Sequence, residues 1–218
     1  MPLIIFDGMD GAGKSTQISK IADKLNQLNI SYIVTREPGG TPFGENLRDS
    51  FISEKPTPWA EVLLMLSIRA EHVHQKIRPA LKDNIWILCD RFIDSTYVYQ
   101  CFLQDLPKKD IDAISKLFMI DILPELSFIF TTSPKITQDR LLERNQKLSR
   151  FDTFDSLKFQ QIKDTFSFIV KHEFTYPSGQ IPHRILVDGT GTPEEVFAFL
   201  WENLSKKFPI LKRSSELP

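Results

Sequence analysis

Cysteine is scarce in this 218-residue chain: only Cys89 and Cys101 are present. Two thiols cannot build a disulfide framework or a four-cysteine zinc site, so both are expected to be reduced and mostly buried in a cytosolic protein. Excess charge is missing too. Lys and Arg total 27 against 28 Asp and Glu, a net charge of −1, which removes the electrostatic case for non-specific nucleic-acid binding. No apolar run approaches the ~20 residues needed to cross a bilayer. The opening Met1-Pro2-Leu3-Ile4-Ile5-Phe6-Asp7 has no basic stretch and meets an acid too early for a signal peptide. Internal repeats and low-complexity blocks are absent from the sequence. With 41% hydrophobic and 25% charged residues, the chain has the apolar content for a full core in one domain, and disordered or collagen-like readings fail. Residues 212–218 are expected to fray.

Five short apolar or β-branched runs, at 3–6, 31–35, 85–89, 126–130 and 185–187, alternate with longer amphipathic stretches. Each run is bounded by polar residues, Gly or Pro, as befits strands covered on both faces. Helical periodicity runs over 14–28, 43–52, 58–81, 111–120, 136–144, 157–171 and 193–204. Thr57-Pro58 and Thr192-Pro193 carry the signature of an N-cap followed by proline at the first helical position. The alternation predicts an α/β fold with about five parallel strands and helices on both faces. Ligands of such sheets bind beyond the carboxyl ends of the strands.

The first strand runs into Gly8-Met9-Asp10-Gly11-Ala12-Gly13-Lys14-Ser15-Thr16, which fits the P-loop pattern G-x-x-x-x-G-K-[ST]. Gly13 permits a backbone turn with positive φ, and successive N–H groups then face a phosphate at the positive end of the next helix. Lys14 is placed to reach the β- and γ-phosphates, and the Ser15 hydroxyl to bind Mg²⁺. The motif predicts a nucleoside-triphosphate site, with ATP and Mg²⁺ as cofactors, on a three-layer P-loop fold.

Arginines follow other strands: Arg36 the second, Arg91 the third, and Arg140, Arg144 and Arg150 the fourth. Phosphoryl transfer needs charge neutralisation and in-line positioning more than covalent help, and the guanidinium fork suits phosphate oxygens. The segments 6–16, Thr35-Arg36-Glu37-Pro38-Gly39-Gly40-Thr41 and Asp90-Arg91-Phe92-Ile93-Asp94-Ser95 resemble three signatures of the thymidylate kinase family. Ile77-Arg78-Pro79-Ala80-Leu81 and Ser149-Arg150-Phe151-Asp152 add weaker matches, in the same order over nearly the whole chain.

The resemblance implies ATP-dependent phosphorylation of dTMP to dTDP in a cytosolic homodimer. Carried onto this sequence, Asp10 accepts from the sugar 3′-OH, while Arg36 and Arg91 hold the acceptor phosphate. Arg69 donates to a thymine carbonyl, Thr96 meets the base edge, and Tyr99 lies where a ribose 2′-OH would project. Ser95, Met65 and Gln100 complete the implied acceptor pocket. Position 11 is glycine, so a catalytic arginine must come from a small mobile lid over 140–152, with Arg144 and Arg150 as the choices; Arg140 is expected on a solvated helix face. Asp90 is a candidate Mg²⁺ partner, the rival reading being an acid paired with an arginine.

Three positions depart from the family pattern: Met65 replaces a base-stacking Phe, Thr131 an acid, and Asp7 a Glu that serves a water-mediated metal contact. Met65 leaves open a kinase with relaxed pyrimidine preference, and a P-loop switch without transferase activity is a further alternative. His72 and His74, two apart on a helix, are a poor metal pair and are expected at solvent or an interface. Phe166, Phe168 and Phe174 are expected in the core. The apolar content of residues 61–70 exceeds one stripe, which suits either a central helix or one covered by a second subunit.

Overall fold

The computed structural model describes residues 2–118, 122–143, 151 and 154–215. β1 (Leu3–Gly8) is buried along its whole length, because it is the middle strand of a five-stranded parallel sheet. β2 (Tyr32–Arg36), β3 (Trp86–Asp90), β4 (Leu126–Thr131) and β5 (Arg184–Asp188) complete the order β2-β3-β1-β4-β5. The five expected strands are therefore the five observed ones. The period of two along β1 divides the core. Ile4 and Phe6 join Leu88, Phe128, Phe130, Ile162, Phe166 and Leu200 on one face. Leu3 and Ile5 join Ile87, Cys89, Val62, Leu66, Ile77 and Tyr97 on the other, as alternation of side chains across a strand requires.

The helices are α1 (Lys14–Gln27), α2 (Pro42–Ser53), α3 (Pro58–His72), α4 (Arg78–Lys82), α5 (Ile93–Thr96), α6 (Lys108–Leu117), α7 (Pro134–Glu143), α8 (Ser156–Lys171) and α9 (Pro193–Lys207). The single helix expected over 58–81 is interrupted: α3 and α4 are joined by a wider i→i+5 turn, Val73–Ile77, in which Arg78 N–H donates to Val73 O. Pro79 explains it. Its ring would strike the carbonyl of Gln75 in a regular helix, and the extra residue in the turn moves that carbonyl aside. A similar wide turn, Tyr97–Phe102, extends α5, where no helix was expected; β-branched and aromatic residues there are weak helix formers. Thr41 caps α2 with Pro42 at its start, accepting from Gly44 N–H at 3.0 Å. Thr192 forms a full capping box with Glu195, whereas Thr57 makes no side-chain cap.

Both cysteines are free and buried. His72 is fully buried, against the expectation of solvent or an interface, because two polar partners hold it. Phe166 is in the core, but Phe168 is 41% exposed. Pro209–Ser215 continues as a 3₁₀ turn with Leu211 buried, so part of the expected frayed tail has regular backbone; residues 216–218 lie outside the described residues.

Candidate active site

The P-loop joins β1 to α1 at the carboxyl edge of the sheet. Gly8 has φ +123°, and a Cβ there would lie 2.1 Å from Phe130 O, so only glycine lets β1 and β4 approach. Gly13 caps α1 with φ +94°. The first-turn N–H groups of α1 have no intrahelical partner, and the helix adds positive potential at the same place. Lys14 folds over the loop, with Nζ donating to Met9 O at 2.7 Å and Gly8 O at 3.3 Å. Burial lowers the Lys14 pKa, Arg91 adds to this, and Asp10 and Asp90 oppose it. At two of the positions expected to bind phosphate the backbone N–H groups are engaged within the protein. Gly8 N–H donates to Asp7 Oδ1 and Met9 N–H to Phe130 O, while the Met9 side chain is wholly in the core. These residues brace the loop, and the cradle is left to residues 11–16, including Gly11, Ala12, Ser15 and the exposed Thr16.

Asp7 is the brace between the loop and the segment after β3. Fully buried, it accepts from Phe92 N–H and Ser95 N–H at 3.0 Å and from Ser95 Oγ at 2.5 Å. Its oxygens are thereby saturated, so the metal contact associated with this position does not apply to Asp7. The Ser95 hydroxyl serves Asp7 and accepts from Arg91 Nη1 at 2.8 Å, so it positions Arg91. Arg91 sits at φ +68°, a conformation non-glycine residues rarely hold without reinforcement. The reinforcement is Arg91 N–H to Phe6 O and Arg91 Nη2 to Asp10 Oδ1 at 2.7 Å. The guanidinium also lies 5.6 Å from the Tyr99 ring.

Across from the P-loop, Arg36, Arg48 and Arg91 line one cleft with Asp10, Lys14 and Asp90. Arg48 escaped the sequence reading, since a lone arginine inside α2 gives no signal; its Nη1 donates to Pro38 O at 2.6 Å, fixing it in the loop after β2. Arg36 is half exposed and paired with Glu45 at 2.6 Å. Arg69 is fully buried, with Nε 2.7 Å from Glu37 Oε2 and its guanidinium 5.2 Å from the Phe92 ring. Glu37 Oε1 is 3.0 Å from His72 Nδ1, and His72 Nε2 is 2.7 Å from Thr35 Oγ1. Arg69 Nη1 and Nη2 are buried with no partner among the described residues. Met65, Thr96, Tyr99 and Gln100 are all buried, and the Tyr99 ring lies between Arg91 and the Phe151 ring, 5.4 Å from the latter.

Ser15 Oγ donates to Asp90 Oδ2 at 3.4 Å. Asp90 Oδ1 is buried without a partner, and among the described residues Asp90 pairs with no arginine. On the other flank of the loop, Arg140 is not on a solvated face. Its Nη1 donates to Gly189 O at 2.8 Å and Gly11 O at 3.2 Å, tying α7 and the loop after β5 to the P-loop beside a second cleft lined by Gly13, Thr16 and Gln17. Arg144 and Arg150, the expected lid arginines, lie outside the described residues.

The sequence profile of the Thymidylate kinase family matches residues 6–177. The chain belongs to the thymidylate kinase family. Among curated relatives, the family member "Thymidylate kinase" of Nitrobacter hamburgensis is 33% identical over 98% of this chain and 92% of its own length. That of Mesoplasma florum is 32% identical over 96% and 98%. A solved thymidylate kinase structure from Ehrlichia chaffeensis superposes with a TM-score of 0.72 at 26% identity, covering 93% of this chain and 98% of that one. The family's five-stranded α/β architecture is the one described above, and no helix among the described residues is long and apolar enough to cross a membrane.

Proposed function

We propose that the chain transfers the γ-phosphoryl group of ATP to dTMP, giving ADP and dTDP. The observation that carries this reading is the pairing of two anion-holding surfaces in one cleft: the P-loop with Lys14, and Arg36, Arg48 and Arg91 opposite. A protein that only sensed ATP would need the first surface alone. The dTMP phosphate, with a second pKa near 6, is largely a dianion at neutral pH and is itself the nucleophile. No strong base is required; the barrier is repulsion between two polyanions, which fixed cations offset.

In this reading Arg91, rigidly held by Ser95 and Asp10, and Arg36, after release from Glu45, grip the acceptor phosphate beside Arg48. Asp10 accepts from the 3′-OH, Tyr99 lies against the sugar, and Met65 packs on the base. Arg69 gives its two partnerless amino groups to a thymine carbonyl, and Thr96 and Gln100 border the base edge. Ser15 and Asp90 fit Mg²⁺: a hydroxyl and a carboxylate with one buried orphan oxygen suit an ion that keeps waters and phosphate oxygens as its other ligands. Such an ion, when bound with ATP, neutralises charge on the phosphates. Arg144 and Arg150 remain the arginines the sequence assigns to the transferring group. The fold is read as a single domain, working in the cytosol as a homodimer, the 53%-exposed Leu63 and 37%-exposed Trp59 of α3 being the apolar surface a second copy would cover.

Steady-state assays with ATP, Mg²⁺ and each of dTMP, dUMP, dCMP and UMP test the reading. The highest kcat/KM is expected for dTMP. Equal rates on all four would defeat the thymidylate assignment, and ATP binding without any ADP formation would make the chain a switch.

A further inference from the structure

Glu61 is 1% exposed. It sits on α3 with Met65 and Arg69 at intervals of four, so the three share one buried face spanning about 12 Å. Gln100 Nε2 donates to Glu61 Oε1 at 2.5 Å, and Gln104 Nε2 to the same oxygen at 2.9 Å. A carboxylate only accepts hydrogen bonds, so the Gln100 amide must turn its nitrogen toward Glu61 and its oxygen away. Among the described residues nothing donates to that Gln100 oxygen. Further along the same face, Arg69 presents two buried amino groups that no acceptor among the described residues meets.

These two features form a pattern: a donor from Arg69 and an acceptor from Gln100. The edge of a thymine or uracil ring is the complement, with carbonyl O4 beside N3–H. Cytosine shows the reverse, an amino group at C4 and a bare N3, and would be mismatched at both points. We propose that Glu61 is a positioning residue for base choice: by holding the Gln100 amide one way round, it makes the pocket accept N3–H pyrimidines and reject cytosine. The proposal rests on the dTMP kinase reading and adds the source of its discrimination. A site that pairs with a substrate N–H rejects analogues lacking it strongly, because its buried acceptor is then left without a donor.

The test is Glu61→Gln, which keeps the shape but can donate as well as accept, freeing the Gln100 amide to turn. With kcat/KM measured for dTMP, dUMP and dCMP, the dTMP-to-dCMP preference is expected to fall by about tenfold or more, while the dTMP-to-dUMP ratio stays within about twofold because both bases present the same edge. A purely structural role would lower all three substrates together, and an unchanged dTMP-to-dCMP ratio overturns the proposal. Should Glu61→Gln fail to fold, Gln100→Met carries the same expectation and the same refutation. In the double variant Glu61→Gln/Gln100→Met, the first change should add nothing to the base ratio; a further drop would show that Glu61 does not act through Gln100. Absence of dTMP turnover in the unsubstituted protein is a different result, and it sinks the underlying kinase reading instead.

Discussion

The two sides of the cleft are built in opposite ways. The surface for the triphosphate comes from one continuous run, residues 8–16, and acts through backbone N–H groups, two obligatory glycines and one lysine. The proposed acceptor pocket draws on residues 35–37, 48, 61–72 and 91–100, and would act through side chains locked by other side chains: Arg69 by Glu37, Arg91 by Asp10 and Ser95, Gln100 by Glu61. A backbone cradle is rigid once its strand and helix form. A side-chain pocket is only as well aimed as its buried partners, so changes in those partners should alter substrate binding without touching the ligand themselves.

The largest effect is expected on the triphosphate side. Lys14→Ala removes the one side-chain cation within the loop, and kcat should fall by about 10³-fold, the scale of losing a preorganised transition-state contact. Its folded stability should change little in comparison, since α1 and the glycines that shape the loop remain. A coupled ADP assay beside thermal melts checks both. A loss below tenfold would mean that the arginines opposite, not the loop, supply most of the charge neutralisation.

Glu37→Gln is the matching break on the acceptor side. It leaves the Arg69 guanidinium fully buried without its ionic partner, which costs about 3–5 kcal/mol of stability, and KM for dTMP should rise more than kcat falls. Burial alone would raise the Glu37 carboxyl pKa, but Arg69 and the His72 hydrogen bond outweigh it and hold it below the ordinary carboxylate value. A depressed pKa contributes stability that is fully present above the unfolded value of about 4.3 and is lost as pH falls through the folded value. The stability gap between the original chain and Glu37→Gln should therefore be full at neutral pH and narrow in acid, as denaturant titrations at several pH values would show. A gap independent of pH would place the stabilisation elsewhere than in the ionised Glu37.

The same contrast decides what could be read in advance. The five strands and the P-loop were legible because their signals are local: apolar runs between turn residues, and a motif whose every position has its own backbone or charge role. Arg36 and Arg91 were legible as phosphate candidates from their places just after strands, whereas Arg69 became a candidate only through the family resemblance, and the partners of all three were hidden. Nothing near Asp7 in the sequence says that its carboxylate will be consumed by Phe92 and Ser95 more than eighty residues away, or that Met9 N–H will serve Phe130. His72 illustrates the same limit: helical periodicity gives its face, but only the fold brings Glu37 and Thr35 to it. Arg48 had no local signal at all.

The finest distinction between the two surfaces is offered by Arg140. Judged from α7 alone it belongs to solvent, yet it bridges Gly11 O and Gly189 O and so braces the triphosphate side from outside. Hydrogen bonds of this kind are worth about 0.5–1.5 kcal/mol net, so Arg140→Ala should raise KM for ATP by only about three- to tenfold. The acceptor pocket shares none of these contacts, and KM for dTMP should stay within experimental error. Parallel rises in both constants would show that Arg140 holds the two surfaces together and that the cleft behaves as one unit. A change confined to ATP would establish that the loop and the acceptor pocket are stabilised independently, and that each can be altered without retuning the other.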